Sequence, residues 1–559
     1  MTAAQHRPAA RDAAGSGSGS GSASASGSGS GNDATRSGHA DVEEWDVLVY
    51  GATAGGVMAA VAAAQRGARV LLAEPGRHIG GMTSGGLGYT DVGDRRVIGG
   101  LSAQFYRAVA EYYGVSGWHY AGPEPHVAEQ ILTTWLERAN VSVRFGAGLS
   151  VVSVRDGTIG EITLADGSVH RAAVYVDASY EGDLLAAAGV SYRVGREDRS
   201  LYGERLAGRA EIAPGRHNFE VLVSPFADPE ARYPGAPDEA AGALLPLIHD
   251  RPLAPVGVGD GGVMAYGYRV CLTTAADRIP IDRRPGYDEA EFELARRHFA
   301  ATASEHREVR AGLMVGLEPN LPGGKCDGNS LGPMSLNLLD GTNWRYPGAD
   351  ATERERIRLR HLHYTQDLLY FFSHDPAVPA EVRAELCRWG LPADEFTDTA
   401  GWPHQLYVRE ARRMVGEYVL TEHDLLRPRA PVPEAVAMGS YHIDIREVQR
   451  SWRWLFEHPE PLAQTVNEGY LSVPVRPYPV PYRCLLPRRA ECTNLLVPVC
   501  VSASHVAFAS LRMEVQYQML GAAAGVAAAL AARTNRGVHD ISVTALQGEL
   551  AADGQVLAL

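Results

Sequence analysis

From Asp46 the chain alternates short, continuously apolar runs with glycine turns. DVLVY, ending at Tyr50, shows no polar alternation and reads as a parallel strand buried on both faces. Gly51, Gly55 and Gly56 then open an alanine-rich run of helical character as far as Arg66, and Gly67 supplies its C-terminal cap. A second apolar strand, Arg69 to Ala73, ends on Glu74. Strand, glycine turn, helix, strand and terminal acid is the order a dinucleotide site needs. The tight turn brings backbone N–H groups and the helix N-terminus to a pyrophosphate, and the acid accepts hydrogen bonds from a ribose. Gly51 and Gly56 match the first and third glycines of G-x-G-x-x-G, while Thr53 stands at the second.

Further along, PGRHIGGMTSGGLGYTD is dense in glycine, yet Ile79, Met82, Leu87 and Tyr89 require that it pack rather than wave in solvent. The pattern predicts helices over Leu101–Tyr113 and Pro125–Arg138. Between Val141 and Ser179 it predicts short strands broken by the hairpin signals Asp156-Gly157 and Asp166-Gly167, a three-strand meander followed by the return strand RAAVYVDAS. EGDLLAAAG reads as a short helix stopped by Gly189. Beyond Arg193 proline and aromatic content rise, with helices expected over Thr352–Phe372, Pro379–Trp389 and Gln405–Tyr418. Gly257, Gly259 and Gly262 also satisfy G-x-G-x-x-G, but a proline-bearing loop precedes them and a strand-like run follows, so a loop is expected. NLLVPV is a buried strand, and a loop and long small-residue helix follow it. The fold class is therefore α/β. A Rossmann-like nucleotide domain with a βββ meander insertion is expected from residues 45–195 and 471–535, a mixed α/β substrate domain from 196–470, and a C-terminal extension over 536–559.

Residues 1–44 are a glycine- and serine-rich tail whose composition predicts disorder. Arg7 and Arg11 precede the Gly15–Gly31 run without the apolar core of a signal peptide, which points to a cytoplasmic protein. The net charge of −14 and the lack of a basic stripe argue against a nucleic-acid or anionic-membrane partner. The nearest approach to a membrane span, Met519 to Ala532, is short and rich in alanine, so a packed internal helix is expected. Six dispersed cysteines form no C-x-x-C pair and read as buried thiols; no metal site is expected.

The stretches GATAGGVMAA, RHIGGMTSGGLGYTD, VDASYEGDLLAAAGV, GWPHQLYVREARRMVGEYVLTEHD and NLLVPVCVSASHVAFASLRME together resemble the FAD-dependent oxidoreductase family of glutathione-reductase-like flavoproteins, some of them labelled putative xanthan lyase. The likeness runs from about Val47 to Ala532. It implies FAD held at Gly51, Thr53, Ala54, Gly55 and Gly56, with Glu74 on the adenosine ribose. It also implies Gly80, Gly81 and Met82 beside the ribityl chain and flavin, and Val152 near the adenine through its backbone. The loop Ser502 to His505, Ser504 included, would close over the isoalloxazine with the helix that follows.

A flavin enzyme needs a base for the substrate proton, and histidine titrates in the right range. Of nineteen histidines, His505 is the first candidate, on the loop after the last strand; His404 and His423 come next. Arg409 and Arg413, four apart, would share a helical face, as would Arg409 and Arg412 more loosely. That face suits either a bidentate clamp on a substrate carboxylate or an internal network with Glu410, Glu417 and Glu422. Arg512 and Glu514 would orient substrate, hold the flavin, or form a salt bridge. His78 permits a covalent flavin link, although a solvent-facing loop histidine is the plainer reading. The expected chemistry is hydride transfer between FAD and a small hydroxy or amino substrate, with no second nucleotide motif. A lyase or isomerase with a non-redox flavin, or a flavin-binding scaffold, are the rival readings, and the oligomeric state is open.

Overall fold

β1 (Val42–Tyr50) forms the centre of the main sheet. Its last four residues are buried because alternate side chains enter different cores: Val47 and Val49 join one cluster, Leu48 and Tyr50 the other. A strand covered on both faces has no polar side, which is why VLVY, Val47 to Tyr50, is an unbroken apolar run. α1 (Ala54–Ala64) follows, and β2 (Val70–Ala73) returns parallel to β1 with Val70 opposite Val47. α2 (Gly100–Tyr112) and α3 (Pro125–Arg138) lead to β3 (Ser142–Arg144), parallel to β2. β4 (Leu149–Arg155), β5 (Thr158–Leu164) and the start of β6 (Val169–Asp177) then pair antiparallel, giving the order β3-β2-β1-β6-β5-β4. β6 forks: it pairs with β1 along its length, but its start also meets β5 and its end meets Leu495–Leu496 in parallel. α4 (Asp183–Ala187) stops at Gly189, whose φ of +75° suits glycine.

The computed structural model describes residues 42–116, 122–215, 217–427 and 432–559, which form one contact unit. The expected tail lies outside them except for Val42, Glu43 and Glu44, which belong to β1. The central part carries β7 (Val270–Thr273), α5 (Glu293–Ser304), β8 (Lys325–Gly328), α6 (Ala351–His374), α7 (Ala380–Leu386) and the hairpin of β9 (Gln449–Leu455) with β10 (Leu462–Glu468). Residues 257–262 are a loop, as the missing helix context required.

One expected helix is absent. Residues 405–418 run extended: Tyr407 bridges Gly267, and Arg413–Met414 pairs with Tyr192–Arg193. The backbone is drawn out by its charged side chains, which reach buried partners on several distant segments; a helix would aim them along one face. Arg409 and Arg413 consequently share no helical face.

The chain closes with β11 (Leu495–Leu496), α8 (His505–Leu511), α9 (Glu514–Thr534) and α10 (Val543–Ala552). α9 is longer than the expected run, long and apolar enough to cross a membrane, but 94% of its apolar window lies inside the fold. It packs on α1 with backbones nearly touching. A Cβ added to Gly521 would stand 2.0 Å from the Gly55 carbonyl oxygen, and one on Gly525 would stand 2.1 Å from that of Ala59. α10 is tied back by Arg66, just beyond α1, which bonds Glu549 at 2.5 Å and Asp553 at 2.8 Å.

Gly521→Ala is expected to lower stability by about 1–3 kcal/mol through overpacking against α1. Gly548→Ala, at an open position of α10 with nothing within 4 Å, is expected to raise it by about 0.5–1 kcal/mol. Urea unfolding of the two variants tests the contrast; equal effects would remove the close-contact argument.

Candidate active site

The turn after β1 is shaped by three residues. Gly51 has φ +93°, and a Cβ there would lie 2.8 Å from Ser179 N. Gly56 lies so close to the turn that its Cβ would be 1.9 Å from the Gly51 carbonyl oxygen. Thr53, at the second glycine position, caps α1: its hydroxyl accepts from Gly56 N at 3.1 Å and donates to Ala178 O at 2.8 Å. The turn is thereby pinned to the end of β6, and the first amides of α1, with no carbonyl earlier in the helix, provide the positive end of its dipole. Gly55 packs against α9, its Cβ position 2.8 Å from Tyr517 O.

Glu74 stands where β2 ends. One carboxylate oxygen accepts from Ala52 N and the other from Gly76 N, both at 2.6 Å. Burial raises its pKa, and the two amide bonds oppose that rise. Each oxygen retains a lone pair for a ribose hydroxyl. Glycines at the close contacts, a helix N-terminus and an acid at the end of β2 fit the adenine-nucleotide half of FAD. Val152 lies mid-strand in β4 opposite Ile162, and at the start of β4 Leu149 N donates to Tyr50 Oη at 3.2 Å.

The second glycine loop is packed, as its apolar residues required. Gly80 and Gly81 have φ of +105° and +55°, and Gly80 N donates to Ala52 O at 2.7 Å. Met82 N donates to the Tyr180 hydroxyl at 2.8 Å, which donates to Glu514 at 2.7 Å. Thr83 Oγ1 donates to the other Glu514 oxygen at 3.0 Å. Glu514, the first residue of α9, is pushed up to about 7 by burial, against the pull of those two bonds. A cavity of about 10 Å³, room for about one water, lies beside it, lined by Thr83, Tyr89, Asp91 and Tyr106 among others. Of the alternatives for Arg512 and Glu514, the mutual salt bridge is not formed: Arg512 bonds Asp444 at 2.9 Å.

His505 opens α8 and is buried. Its Nδ1 lies 2.8 Å from Glu410 Oε1, its backbone N–H donates to Glu197 at 2.9 Å, and its buried Nε2 has no partner. Arg413 completes the group, bonding Glu410, Glu197 at 2.6 Å and the Gly195 carbonyl. Burial favours the neutral acid at Glu410, but His505 and Arg413 beside it hold its carboxyl below the ordinary value. Ser504 has its hydroxyl committed: it donates to Glu204 at 2.6 Å and accepts from Ala507 N as the cap of α8.

Other candidates fall elsewhere. His404 stacks on His78 at 3.7 Å between ring centroids, and burial, aided by the His78 charge, lowers it to about 4. His78 is not the solvent-facing residue expected, for it is half-buried and bonded to Glu129 and Asp398. His423 is exposed and meets Tyr202 O. Of the expected acid network only Glu410 meets an arginine of that segment; Glu417 and Glu422 accept backbone amides of Arg489, Arg205 and Leu206. Among the described residues, Glu124, His126, Asp394 and Glu395 bring ligand atoms within 4.8 Å of one another. Lys325 Nζ already sits among them, 2.6–2.8 Å from the three carboxylates. Five cysteines are buried thiols and Cys387 is exposed.

Glu514 gives the flavin-free protein a pH signature. Because its folded-state pKa exceeds the usual 4.5, the folded protein keeps a proton that the unfolded chain releases between about pH 4.5 and pH 7. The stability it contributes is present at low pH and lost as pH rises through that window. Glu514→Gln is expected to flatten this decline by about 3 kcal/mol, read by urea unfolding from pH 4.5 to 7.5; an unchanged slope would contradict the buried-acid assignment.

Residues 46–550 match the family model "FAD dependent oxidoreductase". No curated protein matches the sequence. Similar solved structures include the amino acid oxidase NikD (17% identity over 28% of this chain and 57% of that one, TM-score 0.21). Others are a 3-ketosteroid dehydrogenase from Rhodococcus jostii RHA1 (17%, 28% and 50%, TM-score 0.19) and THI4 of Thermovibrio ammonificans (20%, 28% and 66%, TM-score 0.21). The chain spans between half and two thirds of the length of these three structures. With its family match running across nearly all the described chain, the protein belongs to the FAD-dependent oxidoreductases, with FAD as its cofactor.

Proposed function

We propose that the enzyme moves a hydride between a small hydroxy or amino substrate and FAD, with His505 as the group that takes or returns the substrate proton. Bound FAD supplies a two-electron acceptor or donor. One observation carries the reading: His505 Nε2 is buried without a partner while Nδ1 faces the Glu410 carboxylate. That carboxylate favours the proton on Nδ1, so Nε2 keeps a lone pair for a substrate O–H or N–H. Glu410 also steadies the imidazolium formed when the proton arrives, and Arg413 prevents Glu410 from turning away. In the oxidation direction the substrate O–H or N–H proton goes to Nε2, the hydride leaves carbon, and a C=O or C=N bond forms. We assign the FAD-binding part to residues 45–195 and 471–535, the substrate side to 196–470, and the extension to 536–559. His505, Arg409 and Arg512 belong to the catalytic region on this reading, and His404, packed on His78, serves at its margin.

The purified protein is expected to be yellow, and Gly51→Trp, which drives a side chain into Ser179, is expected to be colourless. Under anaerobic conditions a substrate should bleach the flavin band and yield a product lighter by about two mass units; bleaching without that mass change would refute dehydrogenation. His505→Gln is expected to lower kcat/KM about 100-fold or more with flavin content unchanged.

A further inference from the structure

Buried arginines in this fold come with counter-ions. Arg413 has Glu197 and Glu410, Arg196 has Asp260 and Glu468, and Arg412 has Asp183. Arg450 lacks a carboxylate, but each of its three nitrogens donates to a neutral acceptor: Asn467, Leu247 O and Pro333 O. Arg409 has neither arrangement. It is 4% exposed, one nitrogen donates to the Ala265 carbonyl, and the guanidinium carbon lies 4.2 Å from the Tyr407 ring centroid. Among the described residues no carboxylate pairs with it, and its Nε and second terminal nitrogen have no acceptor. A buried, uncompensated charge is expensive to maintain.

Its surroundings add donors. Tyr407 lies between Arg409 and Arg512, whose terminal nitrogen bonds the Tyr407 hydroxyl at 3.1 Å. Arg512 Nε is buried without an acceptor. Arg269 stands two residues after Gly267, whose carbonyl accepts from Tyr407 N at 3.0 Å, and its Nε and one terminal nitrogen are also buried and unpartnered. Asp444 balances Arg512 and Asp327 balances Arg269, leaving the charge of Arg409 over. Burial, then the charges of Arg446, Arg512 and Arg269, lower Arg409 to about 9, with only Tyr407 opposing. The cluster abuts the second glycine loop: a Cβ on Gly86 would lie 2.2 Å from Arg269 O, and one on Gly85 would lie 2.4 Å from Gln405 Cβ.

We propose that Arg409, with Arg512 and Arg269 around Tyr407, binds the carboxylate of the substrate, so that the hydroxy or amino compound oxidised is an organic acid. A carboxylate supplies the missing charge, and its two oxygens match the planar guanidinium donors. The proposal rests on the hydride-transfer reading for the identity of the bound molecule, but anion binding is measurable without turnover.

The test titrates the holoenzyme with benzoate, methyl benzoate and inorganic phosphate by calorimetry, with the flavin absorption recorded in the same cell. Benzoate is expected to bind saturably, and the neutral ester and phosphate at least about tenfold more weakly. Arg409→Met is expected to weaken benzoate about 10- to 100-fold, with Arg409→Lys in between. Ester binding equal to benzoate, phosphate binding as tight as benzoate, or unchanged benzoate affinity in Arg409→Met overturns the proposal. The comparison of acid with ester uses wild-type protein and decides the matter even where a variant fails to fold. A colourless preparation counts against the flavoenzyme reading alone, since the calorimetric titration still reports the carboxylate site.

Discussion

The contact of two helix backbones at Gly55 and Gly521 sets the positions of everything around the cofactor turn. Gly55 is the second residue of α1, so the first amides of that helix are fixed relative to α9. The N-terminus of α9 is in turn bonded through Glu514 to Thr83 and Tyr180, and through Tyr180 to Met82. Turn, glycine loop and C-terminal helix therefore locate one another without a long connecting lever. Small residues are what this demands: any side chain at Gly521 or Gly525 would push the helices apart.

The second organising force is buried charge. The group of Arg413, Glu410, Glu197 and His505 joins an extended strand, a loop and the start of α8, segments far apart in sequence. Such a network adds little net stability after desolvation, but removing one member strands another charge in the core. It fixes one imidazole nitrogen of His505 against Glu410 and leaves the other buried without a partner. The Arg409 cluster follows the opposite rule, with donors left over, and the two arrangements meet at Arg409 and Glu410, neighbours on one extended segment.

The first βαβ unit was legible because its physics is local. Strands buried on both faces must be apolar runs, and a tight turn followed by close helix packing must use glycine. Thr53 departed from the motif, and the structure gives it a task glycine lacks, capping α1 and gripping Ala178. Residues 405–418 misled for a physical reason: arginine and glutamate at three- and four-residue spacing imitate a helix face, whereas each side chain here answers to a distant partner, Ala265, His505, Asp183 or Glu197. Glu197, Arg269, Tyr407, Asp444 and Tyr180 escaped notice because no pattern near them in sequence distinguishes them. The density of charge in VREARR was the one visible hint.

The pairing of α1 with α9 also orders events at the ribosome. The first helix of the nucleotide fold emerges roughly 450 residues before the helix that covers it, a delay of roughly 20–90 seconds at ordinary translation speeds. Through that interval an alanine- and valine-lined surface stays naked, and β6 lacks its final neighbour Leu495–Leu496. That face of α1 and the free edge of β6 are thus covered only once the segment from Leu495 through α9 has been made.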